Sequence, residues 1–141
     1  MKIYLASSWR NPEQEQVLKA LRGVGYAVYD FKNPSVDDKG FSWKDVGLRG
    51  DFTYAEYRAA LLHPAANAGF ENDFRAMQWA DICVMLLPCG RSAHLEAGWF
   101  IGAGKPCYIV GEVKEPELMY KMAKGIFLYE TDLIRHLETG L

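Results

Sequence analysis

The sequence predicts an α/β protein with a flavodoxin-like fold: a doubly wound sheet of five parallel strands in the order 2-1-3-4-5, with helices on both faces, three layers in all. Three observations carry this expectation. Short apolar runs alternate with helix-spaced segments along the whole chain. The run Ile82-Cys83-Val84-Met85-Leu86-Leu87 shows no polar alternation, as expected of a strand buried on both faces. It is followed by Pro88, a turn Cys89-Gly90-Arg91, and a helix with almost no polar face. Strand, short Gly-containing turn and helix N-terminus form the corner at which open α/β sheets bind ligands.

In chain order, Ile3-Tyr4-Leu5-Ala6 reads as the first strand and Ser7 to Pro12 as the turn after it. Pro12 suits an early helix position, and Val17, Leu18, Leu21 and Val24 follow at helical spacing until Gly23 and Gly25. Tyr26 to Phe31 is the second strand, and a strand-helix-strand unit of this length implies a right-handed crossover. From Lys32 to Phe52 the periodicity is broken by Asn33-Pro34, Gly40, Gly47 and Gly50, while Phe41, Trp43 and Phe52 keep the stretch from reading as a solvated linker. Such a loop either covers a site or packs on its own aromatics as an Ω-loop.

Tyr54 to Leu62 reads as a helix broken by His63-Pro64, and Phe70 to Trp79 as the next, with Asp73 in its first turn. After the central strand, Ser92 is the expected N-cap of a helix from Ala93 onward, with Glu96 one turn in. Cys107 to Val110 is the fourth strand, Glu115 to Tyr120 starts a short helix, Ile126 to Leu128 is the last strand, and Thr131 to Leu137 a closing amphipathic helix. Residues 1–141 are expected to form one domain.

The chain carries 18 acidic and 16 basic side chains and a net charge of -2, which excludes an electrostatic footprint for nucleic acid or an anionic membrane. A small molecule or a second copy of the chain is the expected partner. Cys83, Cys89 and Cys107 lack the paired spacing of a zinc site or a disulfide framework, so no metal is expected and a reducing cytoplasm fits. The apolar stretch after Met1-Lys2 is too short for a signal sequence or a membrane span.

In the predicted strand order, the turns after strands 1 and 3 face each other across the switch point. Tyr4, Ser8, Arg10, Ser92 and Glu96 should therefore converge, with Asp73 able to reach the same crevice. Two carboxylates beside a phenol and a guanidinium suit cleavage of a glycosidic bond, one attacking the anomeric carbon and the other handling the leaving group's proton. Glu96 at a helix N-terminus would be the ionised member; equally, it and Ser92 could serve the helix alone, as dipole complement and cap. Cys89 and His94, five positions apart, are not expected to bring ring and sulfur together.

These residues also resemble a known family, the nucleoside 2-deoxyribosyltransferase superfamily, with its nucleoside transferases and deoxynucleoside 5′-monophosphate N-glycosidases. Ile3-Tyr4-Leu5-Ala6-Ser7-Ser8-Trp9 looks like the family's first strand and turn, Asn72-Asp73 like its Asn-Asp pair, and Leu95-Glu96-Ala97-Gly98 with Gly104-Lys105-Pro106 like its nucleophile helix. The resemblance implies that Glu96 forms a glycosyl ester, that Tyr4 orients it, and that Asp73 contacts the base and manages its proton. It implies no cofactor. Glu117-Leu118-Met119 resembles the segment that reaches a neighbouring subunit's site, which implies a homodimer or higher homo-oligomer with shared sites. Ser8 and Arg10, flanking Trp9, match positions that hold a 5′-phosphate, Arg91 could add a second charge, and Phe41 and Trp43 are expected to cover the base.

Two positions depart from the pattern. Gly90 stands where the family has Asp or Ser, six residues before the nucleophile, and Ser92 is the residue placed to take over part of that role. Glu117 stands where the transferases have Asn, and a carboxylate there would repel a phosphate. The expected activity is cleavage of the N-glycosidic bond of a 2′-deoxynucleoside or, by preference, its 5′-monophosphate, with the sugar passed to water or to a second base. A non-catalytic nucleotide sensor and an NAD glycohydrolase-like enzyme are the alternatives. The base, the tolerance of a ribose 2′-hydroxyl and the oligomer size are not legible in the sequence.

Overall fold

The computed structural model describes residues 1–140 and divides the chain into two compact units, Met1–Asp30 with Trp79–Leu141, and Phe31–Gln78. The first holds a five-stranded sheet, all parallel, in the order β2-β1-β3-β4-β5. Its strands are β1 (Lys2–Ala6), β2 (Ala27–Tyr29), β3 (Ile82–Leu86), β4 (Cys107–Val110) and β5 (Gly125–Phe127). Helices α1 (Gln14–Gly23) and α5 (Glu130–Thr139) pack together on one face. Helix α4 (Arg91–Gly102) lies on the other, against β1, β3 and β4. The helices α2 (Tyr54–Leu61) and α3 (Pro64–Trp79) arise in the second unit.

Strand periodicity explains the layering. Successive side chains point to opposite faces, so Ile3, Leu5, Val84, Leu86 and Val110 join Val17, Leu18, Leu21 and Leu133 in one apolar core. Tyr4 points the other way, where its ring meets Phe100 of α4. Every residue of β3 and β4 is buried, which accounts for their unbroken apolar sequence. No described helix is long and apolar enough to cross a membrane.

Several element ends differ from the sequence expectation. β2 spans three residues rather than six, because an edge strand is paired only as far as Tyr4 opposite Tyr29. α1 begins at Gln14 with Glu13 as its cap, leaving Pro12 in the preceding turn. α3 begins at Pro64, not Phe70, which moves Asp73 from a first turn into the helix body. Pro is at home at the first helical position, and His63 Nδ1 accepts the Ala65 N–H at 3.0 Å in place of a hydroxyl cap. α4 begins at Arg91 with Gly90 as its N-cap, so Ser92 does not cap it. The helix expected from Glu115 is a single 3-10 turn, Leu118–Met122.

Candidate active site

Tyr4 is 1% exposed. Its ring stacks on Tyr29 at 5.5 Å between centroids and leans on Phe100 at 5.6 Å. With the ring held on both sides, its hydroxyl donates to Glu96 Oε2. Glu96 is half-buried and lies in the second turn of α4, two residues deeper than expected because the helix begins at Arg91 rather than Ala93. The macrodipole acts mainly within the first turn, so the phenol, not the helix N-terminus, is the partner that orients this carboxylate.

The turns after β1 and β3 are stitched together as the strand order requires. Ser7 Oγ donates to the Leu86 carbonyl at 3.0 Å. Asn11 Nδ2 donates to Ser7 Oγ at 3.1 Å and to the Pro88 carbonyl at 3.2 Å, while Asn11 Oδ1 accepts the Glu13 N–H at 2.9 Å. Asn11 is 3% exposed and uses both ends of its amide. Its role was missed in the sequence, where Asn-Pro reads only as a turn signal.

The flanking candidates are more open. Ser8 Oγ accepts the Arg10 N–H at 3.2 Å, a local bond that shapes the turn, and Trp9 and Arg10 are exposed. Arg91 and Ser92 are exposed in the first turn of α4. Gly90 has an extended backbone, φ -96° and ψ -157°, and a side chain added there would meet nothing within 4 Å. Geometry therefore does not demand glycine at the position where the family carries Asp or Ser.

His94 ties this corner to the segment after β4. Its Nδ1 is 2.8 Å from the Gly90 carbonyl and its Nε2 is 2.9 Å from the Tyr120 hydroxyl. This also corrects the expectation for Cys89, whose Sγ lies 3.8 Å from His94 Nδ1: the bond to Gly90 folds the ring back over the turn. The thiol is still no nucleophile at neutral pH, because burial, with the negative charge of Glu96 second, pushes its pKa up to about 11. Burial also raises Tyr120, with Cys89 and Glu117 adding to it.

Glu117 is exposed and lines a cavity of about 880 Å³ that also includes Glu13, Glu112, Glu115 and Glu130, with Lys114 the one Lys or Arg among its lining residues. That wall disfavours an anion. Met119 is exposed in the same 3-10 turn as Tyr120. Gly104-Lys105-Pro106 has a structural explanation: Gly104 takes a left-handed φ of +77° after α4, and Lys105 Nζ donates to the Ala80 carbonyl at 2.7 Å beneath Trp99.

In the second unit, Asn72 and Asp73 lie in the body of α3 and line a cavity of about 250 Å³ with Phe41 and Asp38. Trp43 belongs to an aromatic cluster instead, edge-on to Phe41 at 5.2 Å and tilted against Tyr57 at 5.8 Å. The loop thus packs on its own aromatics while Phe41 also walls the cavity.

No protein-family model and no curated protein matches the chain. Among solved structures it is similar to a 2-deoxyribosyltransferase from Bacillus psychrosaccharolyticus, with 26% identity, 94% of this chain and 90% of the other covered, and a TM-score of 0.50. A conserved protein from Enterococcus faecalis V583 shares the fold at 15% identity and a TM-score of 0.61, over 100% of this chain and 99% of that one. So does a CMP N-glycosidase from Clostridium botulinum, at 15% identity, a TM-score of 0.56 and full coverage of both chains. The resemblance read in the motifs is met again in these neighbours: the deoxyribosyltransferase and the CMP N-glycosidase both belong to the nucleoside deoxyribosyltransferase-like superfamily, which this chain resembles.

Proposed function

We propose that this protein is an enzyme that breaks the N-glycosidic bond of a 2′-deoxynucleoside or its 5′-monophosphate and passes the sugar to water or to a second base. The observation that carries this reading is the Tyr4–Glu96 pair: a carboxylate oriented by a buried phenol beside the loop corner where an α/β sheet receives ligands. The 26% identical neighbour named for deoxyribosyl transfer supports the same chemistry.

On this reading Glu96 attacks C1′ through an oxocarbenium-like transition state, and the C1′–N bond breaks with its electron pair leaving on the base. Asp73 supplies the proton that the base takes up. Water or a second base then attacks C1′ and releases Glu96 as the carboxylate, restoring the original configuration. No redox or metal chemistry is required by these steps. Ser8, Trp9 and Arg10 bind the 5′ end, with Gly90, Arg91 and Ser92 on the facing turn. Glu117 and Met119 complete the site of a neighbouring copy.

Two groups of charges bear on the 5′ end in opposite senses. Arg10 and Arg91 favour a phosphate, whereas Glu117 disfavours one. The deciding experiment is chromatographic detection of free base from matched deoxynucleosides and 5′-monophosphates, with and without acceptor base, for the native protein and Arg10→Ala. Release from monophosphates without acceptor, and a loss in Arg10→Ala about tenfold larger for the monophosphate than for the nucleoside, is the expected result. Equal losses would remove the phosphate role from Arg10. Binding without any base release would make the protein a nucleotide sensor.

A further inference from the structure

From Glu112 to Met119 the chain after β4 is exposed throughout, and it returns to the sheet unit at Tyr120. Its own backbone bonds do not anchor it. The Tyr120 N–H donates to the Glu117 carbonyl at 3.3 Å and the Ala123 N–H to the Tyr120 carbonyl at 3.0 Å, both within the 3-10 turn and its caps. Apolar packing does not seal the joint either. A cavity of about 200 Å³ lies between Ala97, Gly98 and Ile101 of α4 and Met119, Met122 and Ala123 of the segment. Dispersion is forfeited where such a gap leaves atoms without neighbours, so a polar tie across it carries more of the docking.

That tie is His94. The Gly90 carbonyl can only accept, so the Nδ1 facing it at 2.8 Å carries the ring proton. In the neutral ring Nε2 is then a bare acceptor, and the Tyr120 hydroxyl, 2.9 Å away, donates to it. The two rings also stack, with centroids 5.8 Å apart and planes 20° from parallel. Among the described residues this is the side-chain hydrogen bond that joins the segment to α4, the helix of Glu96. Because the Tyr120 N–H closes the turn on Glu117, holding Tyr120 also sets where Glu117 and Met119 stand.

We propose that His94, in its Nδ1–H tautomer, is a positioning residue: it docks residues 112–123 on α4 through Tyr120, fixes where Glu117 is presented, and so sets how strongly a phosphate is disfavoured. The effect on phosphate rests on the functional reading above, whereas the docking stands apart from it. A ring that served only the turn at Gly90 would make no use of Nε2.

The test uses the full-length native protein, Tyr120→Phe, which deletes the hydroxyl and keeps the ring, and Glu117→Gln. Two-bond proton–nitrogen spectra are recorded at about pH 8, where a model imidazole is neutral. Native His94 is expected to show a protonated Nδ1 and a bare Nε2, and Tyr120→Phe to move the Nε2 resonance. Exchange of the Tyr120 and Ala123 amides should quicken about fivefold in that variant, for loss of one hydrogen bond. A protonated Nε2 in the native protein overturns the proposal, as do an Nε2 resonance and amide exchange unchanged by Tyr120→Phe.

The consequence for specificity is read from kcat/KM for matched deoxynucleosides and 5′-monophosphates. Glu117→Gln should raise the monophosphate-to-nucleoside ratio about fivefold, Tyr120→Phe should raise it in the same direction, and the double variant should match Glu117→Gln alone. A ratio moved by Glu117→Gln but not by Tyr120→Phe overturns the positioning role. A ratio unmoved by either overturns the effect on phosphate and leaves the docking to the spectra. No turnover on any substrate overturns the functional reading instead.

Discussion

The sheet unit and the unit of residues 31–78 hold their functional side chains by different means. In the first, every residue of β3 and β4 is buried, and Tyr4 is wedged between two rings before its hydroxyl meets Glu96. In the second, the buried apolar residues are Ala60, Ala66, Ala76 and Met77, small except for the last. Order there comes from local devices: the Thr53–Glu56 capping box of α2, the cluster of Phe41, Trp43, Phe52 and Tyr57, and the Asn72–Asp38 bond. Little apolar area is sealed from water there, so the local free energy of opening should be lower than in the sheet. The comparison teaches that the phenol reaching Glu96 is fixed by tight packing, whereas the side chains of residues 31–78 are fixed by local hydrogen bonds and ring contacts.

Three substitutions sharpen or break this contrast. The largest effect is expected from Glu96→Ala, a fall in turnover of about four orders of magnitude or more for loss of a covalent nucleophile. Glu96 is only half-buried on the surface of a packed helix, so the melting temperature should hardly change; retained activity would remove the mechanism. Gly69→Ala comes next. Its Cβ would meet Phe41 Cβ, an atom that cannot rotate away. Overpacking costs about 1–3 kcal/mol, and better helix propensity offsets up to about 1 kcal/mol of that. Amide exchange should quicken in residues 31–78 more than in β1, β3 and β4; uniform quickening would mean the two units open as one. The smallest effect is expected from Gly90→Ser. The site has room for the side chain, and Ser in place of Gly at an N-cap changes stability by only a few tenths of a kcal/mol. A rise in base release would show that the missing hydroxyl contacts the sugar, whereas a loss of several-fold in stability constant or more would show hidden crowding in the turn.

The central strand, the strand order and the pairing of Tyr4 with Glu96 were legible before any coordinates, because burial on two faces leaves an unbroken apolar run and a parallel order brings β1 beside β3. Helix starts were less legible. His63 acting as a cap for α3, and Gly90 rather than Ser92 capping α4, depend on where side chains turn once the chain is folded. The approach of Cys89 to His94 was misjudged for the same reason: the ring follows the Gly90 carbonyl, not the sequence spacing.

By itself, the sequence determined the fold class, the family resemblance and the identity of the nucleophile candidate, since these rest on periodicity and on residue types at set spacings. Only the tertiary structure decided that the Tyr4 hydroxyl bonds Glu96 Oε2 beyond the first turn of α4, that Asn11 joins the two turns, and that Asp38 is held as an acceptor by Asn72. Those bonds join residues 92, 77 and 34 positions apart in the chain. Local pattern records the conformation each segment prefers, whereas a hydrogen bond between distant segments exists only when packing has brought both partners to the same point at the right angle.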